Sequence, residues 1–410
     1  TASIPAFRER ALQIAMTGRP GPVYLDLPED VLSGLAVAPS RPAPKCENPP
    51  GPDARAIHDA RDILLAAERP AIIVGKGVRW SEPYGELGQL VDDFRIPFIT
   101  SPMGRGSLPD DHPLCFNDAR HLLQWKADAI LMVGARLDWT FRFGSEFARD
   151  VQLIQIDIHQ PEIGVNKIPA VGLGGDARIV LKSLVAVMKG QCAARSTTHL
   201  ASWHAVLEEE REKRRSKLDE KMNDNSIPMS PYRMLKEIRD FLPRSEVVSV
   251  LDGNVFMAAA EPVLPAYEPL SRLTAGTNGC MGVGIPFALG AKIANPNHVV
   301  IAVCGDTGMG FSAMEMETAV RYQIPIIIVV VNNDGNSGAL TEPPLFPRSH
   351  QRQTMYQADI HYDHIMRIFG GHGEYVDHPD QLRPALARAV AAKQAACINV
   401  RVDSHAPYPT

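Results

Sequence analysis

Val299-Val300-Ile301-Ala302-Val303-Cys304 runs straight into Gly305-Asp306-Thr307, and Ile326-Ile327-Ile328-Val329-Val330-Val331 runs into Asn332-Asn333-Asp334-Gly335. Each apolar run has the length and β-branched content of a strand buried on both faces. The helix-length segment Ser312–Tyr322 between them completes a β-α-β unit. Such a unit places Asp306 and Asn333 side by side at the carboxyl edge of a parallel sheet, where open α/β sheets bind ligands.

The residue types suit a hard cation on a phosphate. Mg²⁺ takes near-octahedral oxygen ligands, few of them from side chains. Asp306 offers a carboxylate, Asn333 an amide oxygen and Gly335 an unobstructed backbone carbonyl. Gly308 and Gly310 would let backbone N–H groups approach a phosphate closely. The plainer alternative is an ordinary α/β unit whose Asp and Asn cap the following helices.

Further signals lie upstream. Asp252-Gly253-Asn254 follows the apolar run Val247–Leu251 and is expected to lend donors to a diphosphate, although the same triplet is a common turn. Gly276-Thr277-Asn278-Gly279-Cys280-Met281-Gly282-Val283-Gly284 precedes the helix leading to Asp306. Gly282-x-Gly284 alone is a weak dinucleotide hint, and a Met is more often core.

Asp306 and Asn333 lie 27 positions apart, and this spacing resembles the thiamin-diphosphate signature. The resemblance implies that Asp306, Asn333 and the Gly335 carbonyl hold Mg²⁺ on the diphosphate. It also implies that Gly305, Thr307 and Gly308 line the diphosphate, that the Gly279 carbonyl touches the cofactor, and that Met281 wedges it into a bent shape. Thr307 stands where that signature usually has Gly.

Composition fits an α/β protein of two or three domains: 410 residues, 45% apolar, net charge −5. There is no basic excess for nucleic acid, and no apolar run of membrane-spanning length. The cysteines, Cys46, Cys115, Cys192, Cys280, Cys304 and Cys397, lack metal spacing and read as buried free thiols in a reducing cytoplasm.

Taken in order, residues 1–40 read as the end of one domain, with a helix over Ile4–Ile14 and a strand over Gly21–Pro28. Pro42–Pro52 is a linker. Residues 41–195 form a second α/β pattern, with strands Ala71–Val74, Phe98–Thr100, Ala129–Val133 and Leu153–Ile158. Gly75-Lys76-Gly77 and Gly134-Ala135-Arg136 follow strands, which suits either a pyrophosphate or plain tight turns. Residues 196–228 are a charged, solvated helix, and 229–410 the third pattern.

As a whole the chain resembles the thiamin-diphosphate family of oxalyl-CoA decarboxylases and 2-hydroxyacyl-CoA lyases. The matching stretches are Gly18-Arg19-Pro20-Gly21-Pro22, Pro102–Gly106, Gly134–Trp139, Gln155–Ile158 and Gly305–Thr318. The resemblance implies a middle domain that holds the CoA nucleotide or a regulatory ADP through Arg136, Asp157 and Asp176. It implies cleavage of a 2-hydroxyacyl-CoA into formyl-CoA and an aldehyde or ketone, with decarboxylation of oxalyl-CoA or a 2-oxo acid as the alternative. A non-catalytic nucleotide-binding relative is a third reading. It implies a homodimer or homotetramer, and an activating Glu in a segment upstream of Thr1. Where the family is expected to have Ile-Tyr after Asn-Asn-x-Gly, this chain has Asn336-Ser337. The larger pocket suits a branched substrate such as 2-hydroxyisobutyryl-CoA, with Glu342 as the base at the hydroxyl.

Overall fold

A computed structural model describes residues 2–37, 51–190, 200–336 and 355–406, with the backbone alone at 254–255. The strands are β1 Pro70–Val74, β2 Phe98–Thr100, β3 Ala129–Val133, β4 Gln152–Asp157 and β5 Val171–Gly174, then β6 Val247–Asp252, β7 Arg272–Leu273, β8 Val299–Gly305, β9 Ile327–Asn332, β10 His372–Val376 and β11 Ala396–Arg401. They make two sheets, ordered β2-β1-β3-β4-β5 and β10-β11-β9-β8-β6-β7. Every pairing is parallel. That arrangement requires helices on both faces, which is why the central strands read as unbroken apolar runs and are buried throughout.

The charged helix expected around 196–228 spans Ala201–Met222 and ties the two sheets together. Its Trp203 packs in the first core and donates its indole N–H to the Pro70 carbonyl at 3.1 Å, while Met222 joins the second core. The layers also meet at a buried ion pair: Asp110 accepts from Arg105 Nη2 at 2.7 Å and from the Ala266 N–H at 2.7 Å. Arg272 is fully buried, with Nε on the Ser249 hydroxyl at 2.8 Å and Nη2 on the Leu264 carbonyl at 2.6 Å. Burial pushes its guanidinium down to about 10, and among the described residues no carboxylate is hydrogen-bonded to it.

Several expectations need correction. Residues 21–28 form no strand and are mostly exposed, because no neighbouring strand among the described residues offers them a ladder. In place of one helix over Ser312–Tyr322, helices Asp306–Ser312 and Glu315–Arg321 follow β8, so Asp306 is itself the first helical residue. Cys280 is exposed, unlike Cys115, Cys304 and Cys397. Most of the linker at 42–52 lies outside the described residues. No helix among the described residues is long and apolar enough to cross a membrane.

Gly75 and Gly134 owe their identity to packing between the two loops that follow β1 and β3. A Cβ on Gly75 would stand 2.2 Å from the Gly134 carbonyl oxygen and 2.3 Å from Ala135 Cα. Both obstacles are backbone, so neither can step aside. Gly75→Ala is expected to cost about 1–3 kcal/mol by overpacking and to lower the thermal transition by several degrees in calorimetry. An unchanged transition would show that the loops are not held this close.

Candidate functional site

The site at the second sheet begins with the pairing of β8 and β9, in which Gly305 lies level with Val331. Asp306 and Asn333 therefore leave the same edge together. Asp306 is buried; its Oδ2 accepts the Gly335 N–H at 3.0 Å and its Oδ1 the Thr307 N–H at 2.6 Å. Burial pushes this carboxyl up to about 6 against the pull of those N–H groups. The near end of the Asn333 amide stands 3.3 Å from Asp306 Oδ2 and 2.9 Å from the Gly335 carbonyl. With nitrogen at that end, the amide bridges the two by hydrogen bonds. With oxygen there, three oxygens crowd together, which only a cation can make favourable. The three residues singled out as metal ligands are thus brought together, and they fit a hard cation.

Neighbouring groups hold this turn. Asp334 has φ +57° and pairs with Arg401, while its carbonyl accepts the Tyr356 N–H at 2.9 Å. Thr307 Oγ1 lies 2.9 Å from the Tyr356 hydroxyl. Asn332 has a structural role: its amide donates to the Ile360 carbonyl at 3.0 Å. Glu342 lies outside the described residues, as does the side chain of Asn254.

The Asp252 carboxylate is engaged within the fold. Asp252 is 1% exposed and its Oδ2 accepts the N–H groups of Gly282 at 3.0 Å and Gly284 at 2.8 Å. It lends no donor to a ligand; it clamps the Gly276–Gly284 loop to the end of β6. A Cβ on Gly308 would stand 3.0 Å from the Asp252 carboxylate, so close packing on Asp252 is a further reason for glycine there. Gly253 has φ +116°, a backbone only glycine adopts without strain. In the clamped loop, Gly279 has φ +62° with open space beside it, and Met281 is 37% exposed. From the other sheet, Trp139 donates its indole N–H to the Thr277 carbonyl at 2.8 Å.

A cavity of about 430 Å³ opens at the carboxyl edge of the first sheet, lined by residues from the ends of β1, β3 and β4, by Arg19, and by Gly276 and Thr277. The order β2-β1-β3-β4-β5 has its switch point between β1 and β3, where such sheets take ligands. Arg136, Asp157 and Asp176 all line it. Asp176 is largely a helix cap, accepting the Arg178 and Ile179 N–H groups at 3.0 and 3.2 Å. Burial raises the Asp157 carboxyl, despite the His159 N–H at 2.8 Å. Sequence reasoning missed Glu162. Burial alone would raise its carboxyl, yet Arg19 Nη2 at 2.7 Å and Arg136 Nε at 3.2 Å hold it below its ordinary value. Arg19 stood in a quoted motif, but nothing in the sequence linked it to Glu162.

Known families match these regions. The C-terminal TPP binding domain of thiamine pyrophosphate enzymes matches residues 253–400, and their central domain matches 57–184. A 2-hydroxyacyl-CoA lyase of Oryza sativa subsp. japonica is 36% identical, over 99% of this chain and 73% of its own length. Homo sapiens 2-hydroxyacyl-CoA lyase 1 is 32% identical, over 98% and 72%. The oxalyl-CoA decarboxylase of Escherichia coli (strain K12) is 34% identical, over 96% and 70%.

The Asp252 clamp has a direct consequence for local dynamics. Asp252→Asn removes the charge from two hydrogen bonds, each of a type that contributes about 1.5–3 kcal/mol. Backbone amides over 279–284 are then expected to exchange faster with deuterium than in the unsubstituted protein, while those of β1 and β3 keep their rates. Equal exchange over 279–284 would mean that the loop is held by something else.

Proposed function

The chain belongs to the thiamine pyrophosphate enzymes, in the group that includes 2-hydroxyacyl-CoA lyases and oxalyl-CoA decarboxylases, and on that premise we propose that the complete protein is a carbon–carbon lyase acting on a 2-hydroxyacyl-CoA. The bond between the thioester carbonyl and the hydroxyl-bearing carbon breaks. The hydroxyl carbon leaves as an aldehyde or ketone, and the carbonyl carbon, gaining a proton, leaves as formyl-CoA. Bound thiamin diphosphate supplies the carbon centre that stabilises the negative charge left on that carbonyl carbon.

The observation that carries this reading is the convergence of Asp306, Asn333 and the Gly335 carbonyl in a chain so similar to 2-hydroxyacyl-CoA lyases. In it, those three groups would hold the Mg²⁺ that binds the diphosphate, and Gly305, Thr307 and Gly308 would line the diphosphate. The Gly279 carbonyl and Met281 orient the rest of the cofactor. Arg136, Asp157 and Asp176, joined by Arg19, take the nucleotide end of CoA or a free ADP in the cavity. The sequence Asn336-Ser337, where the family is expected to have Ile-Tyr, supports a branched substrate such as 2-hydroxyisobutyryl-CoA. Glu342 is the base that takes the hydroxyl proton, a role that rests on sequence order and fails if Glu342→Gln keeps full turnover.

The deciding experiment offers 2-hydroxyisobutyryl-CoA and oxalyl-CoA separately to the complete protein with thiamin diphosphate and Mg²⁺. Acetone and formyl-CoA from the first support the lyase. Carbon dioxide from the second with no cleavage of the first moves the assignment to the decarboxylase, the activity named for the bacterial relative.

Asp306 makes a pH prediction. Its metal-free carboxyl titrates near 6, above the ordinary 3.8, because burial disfavours the anion. The metal-free fold therefore loses stability as pH rises through that window, and Mg²⁺ with the cofactor restores it. Below about 6 the ion must displace a proton, so affinity for Mg²⁺ should fall about tenfold per pH unit. Calorimetric titration between pH 5 and 8 reads this, and a flat affinity would remove Asp306 from the ligand set.

A further inference from the structure

At the start of the helix Asp363–Ile368, on residues assigned to neither region described above, His361, Asp363 and His364 each bring one ligand atom to within 4.8 Å of the others. His361 Nδ1 stands 3.4 Å from Asp363 Oδ1, and His364 Nε2 stands 3.8 Å from Asp363 Oδ2. Asp363 is 1% exposed, and neither of its oxygens accepts a hydrogen bond from the described residues. A buried carboxylate left this way is costly and calls for a partner. Arg367 Nη2 lies 3.2 Å from Oδ2, but its guanidinium is aimed at the Gly373 carbonyl, to which Nε and Nη2 donate at 2.9 and 2.7 Å. The imidazoles are held in place: the two rings stack at 5.0 Å, and His361 leans on Tyr375 at 4.3 Å.

We propose that His361 Nδ1, Asp363 and His364 Nε2 bind a divalent transition-metal ion, with Zn²⁺ the best match and water completing the shell. Two imidazoles and a carboxylate are donors for Zn²⁺, whereas Mg²⁺ prefers an all-oxygen shell. Bonds of about 2.0–2.1 Å in a tetrahedron place ligand atoms about 3.4 Å apart. The separation of His361 Nδ1 from Asp363 Oδ1 already has this value, while His364 Nε2 faces the other oxygen at 3.8 Å and all the ligand atoms lie within 4.8 Å of one another, so ring and carboxylate rotation must draw the set together around the ion. Arg367 then serves as the outer partner of the ligating carboxylate. The ion would fasten a segment already moored to the second sheet, since the Ile360 carbonyl accepts from Asn332 Nδ2 at 3.0 Å and Asn399 Nδ2 at 2.9 Å. Its effect is on stability, by mass action on the folded state.

The test uses the complete, untagged protein, saturated with Mg²⁺ and thiamin diphosphate and stripped of other metals. Zn²⁺ is titrated by calorimetry and Co²⁺ by visible absorbance. The expected result is one ion per chain, with a thermal transition that Zn²⁺ raises and excess Mg²⁺ does not. His361→Ala and His364→Ala should each weaken binding about tenfold or more, as loss of a ligand must exceed loss of an outer-shell partner, and should abolish the thermal rise. Both side chains are substantially exposed, so these variants keep the fold; Asp363 is left intact because it is buried. Absence of one-to-one binding in the unsubstituted protein, or equal affinity in the double His variant, overturns the proposal.

Discussion

The parallel register of β8 on β9 is the constraint on which the rest of the second sheet depends. Because Gly305 is level with Val331, the next residues of both strands emerge at one edge with their polar groups facing. Parallel neighbours cannot be joined by a tight turn, so the chain must cross by a helix, and the helix begins at Asp306 itself. Burying a carboxylate there raises its proton affinity, and the Gly335 and Thr307 N–H groups offset only part of the cost. The edge is thus left with oxygens waiting for charge, which is the condition a bound cation relieves.

A second carboxylate does different work at the same edge. Asp252 pairs in register with Cys304, one strand over from the Asp306 turn, and is fully occupied by Gly282 and Gly284. The loop it holds is reached from the first sheet by Trp139, whose hydrogen bond lands on Thr277, and Thr277 is also a wall of the first-sheet cavity. The two regions therefore share a loop. A ligand that pressed on Thr277 from the cavity would press on the segment carrying Gly279 and Met281. Rigidity in that loop comes from both sheets rather than from its own short 3₁₀ turn at Gly276–Asn278.

Much of this was legible in the sequence because parallel central strands are largely apolar: β1, β3, β8 and β9 are continuous apolar runs, and β4, β6 and β11 are apolar runs broken by one or two polar residues. The edge strands were harder. β5 is half glycine, β7 has two residues, and β10 carries His372 and Glu374, so none looks apolar or alternating. The grouping of Asp306, Asn333 and Gly335 followed from spacing and topology. The part of Asp252 as a clamp did not, since an Asp-Gly-Asn turn gives no sign of which N–H groups its carboxylate will meet. Gly75 and Gly308 were open to two readings: glycine after a strand suits both ligand approach and tight packing, and only three-dimensional distances reveal the close packing at both positions. Glu162 was invisible because its partners, Arg19 and Arg136, are 143 and 26 positions away in sequence.

That ion cluster bears on how the proposed nucleotide site would work. Two guanidiniums face the cavity, but Glu162 already engages both, and its lowered carboxyl shows that it keeps its charge. A phosphate entering there must share or replace Glu162, so the arginines offer geometry more than net positive charge. Asp157 is the complement: burial favours its neutral form, Arg19 is 4.0 Å away, and one oxygen accepts a backbone N–H. Two acids beside Arg19 are thus pushed in opposite directions by their surroundings, a separation that suits them to different roles in the proposed site. Glu162 organises the cations, while Asp157 is the acid suited to a sugar hydroxyl, which can donate to a carboxylate or accept from a carboxylic acid. Asp176 caps its helix through Oδ1 alone and also lines the cavity, so the cap fixes where its carboxylate stands in the proposed site.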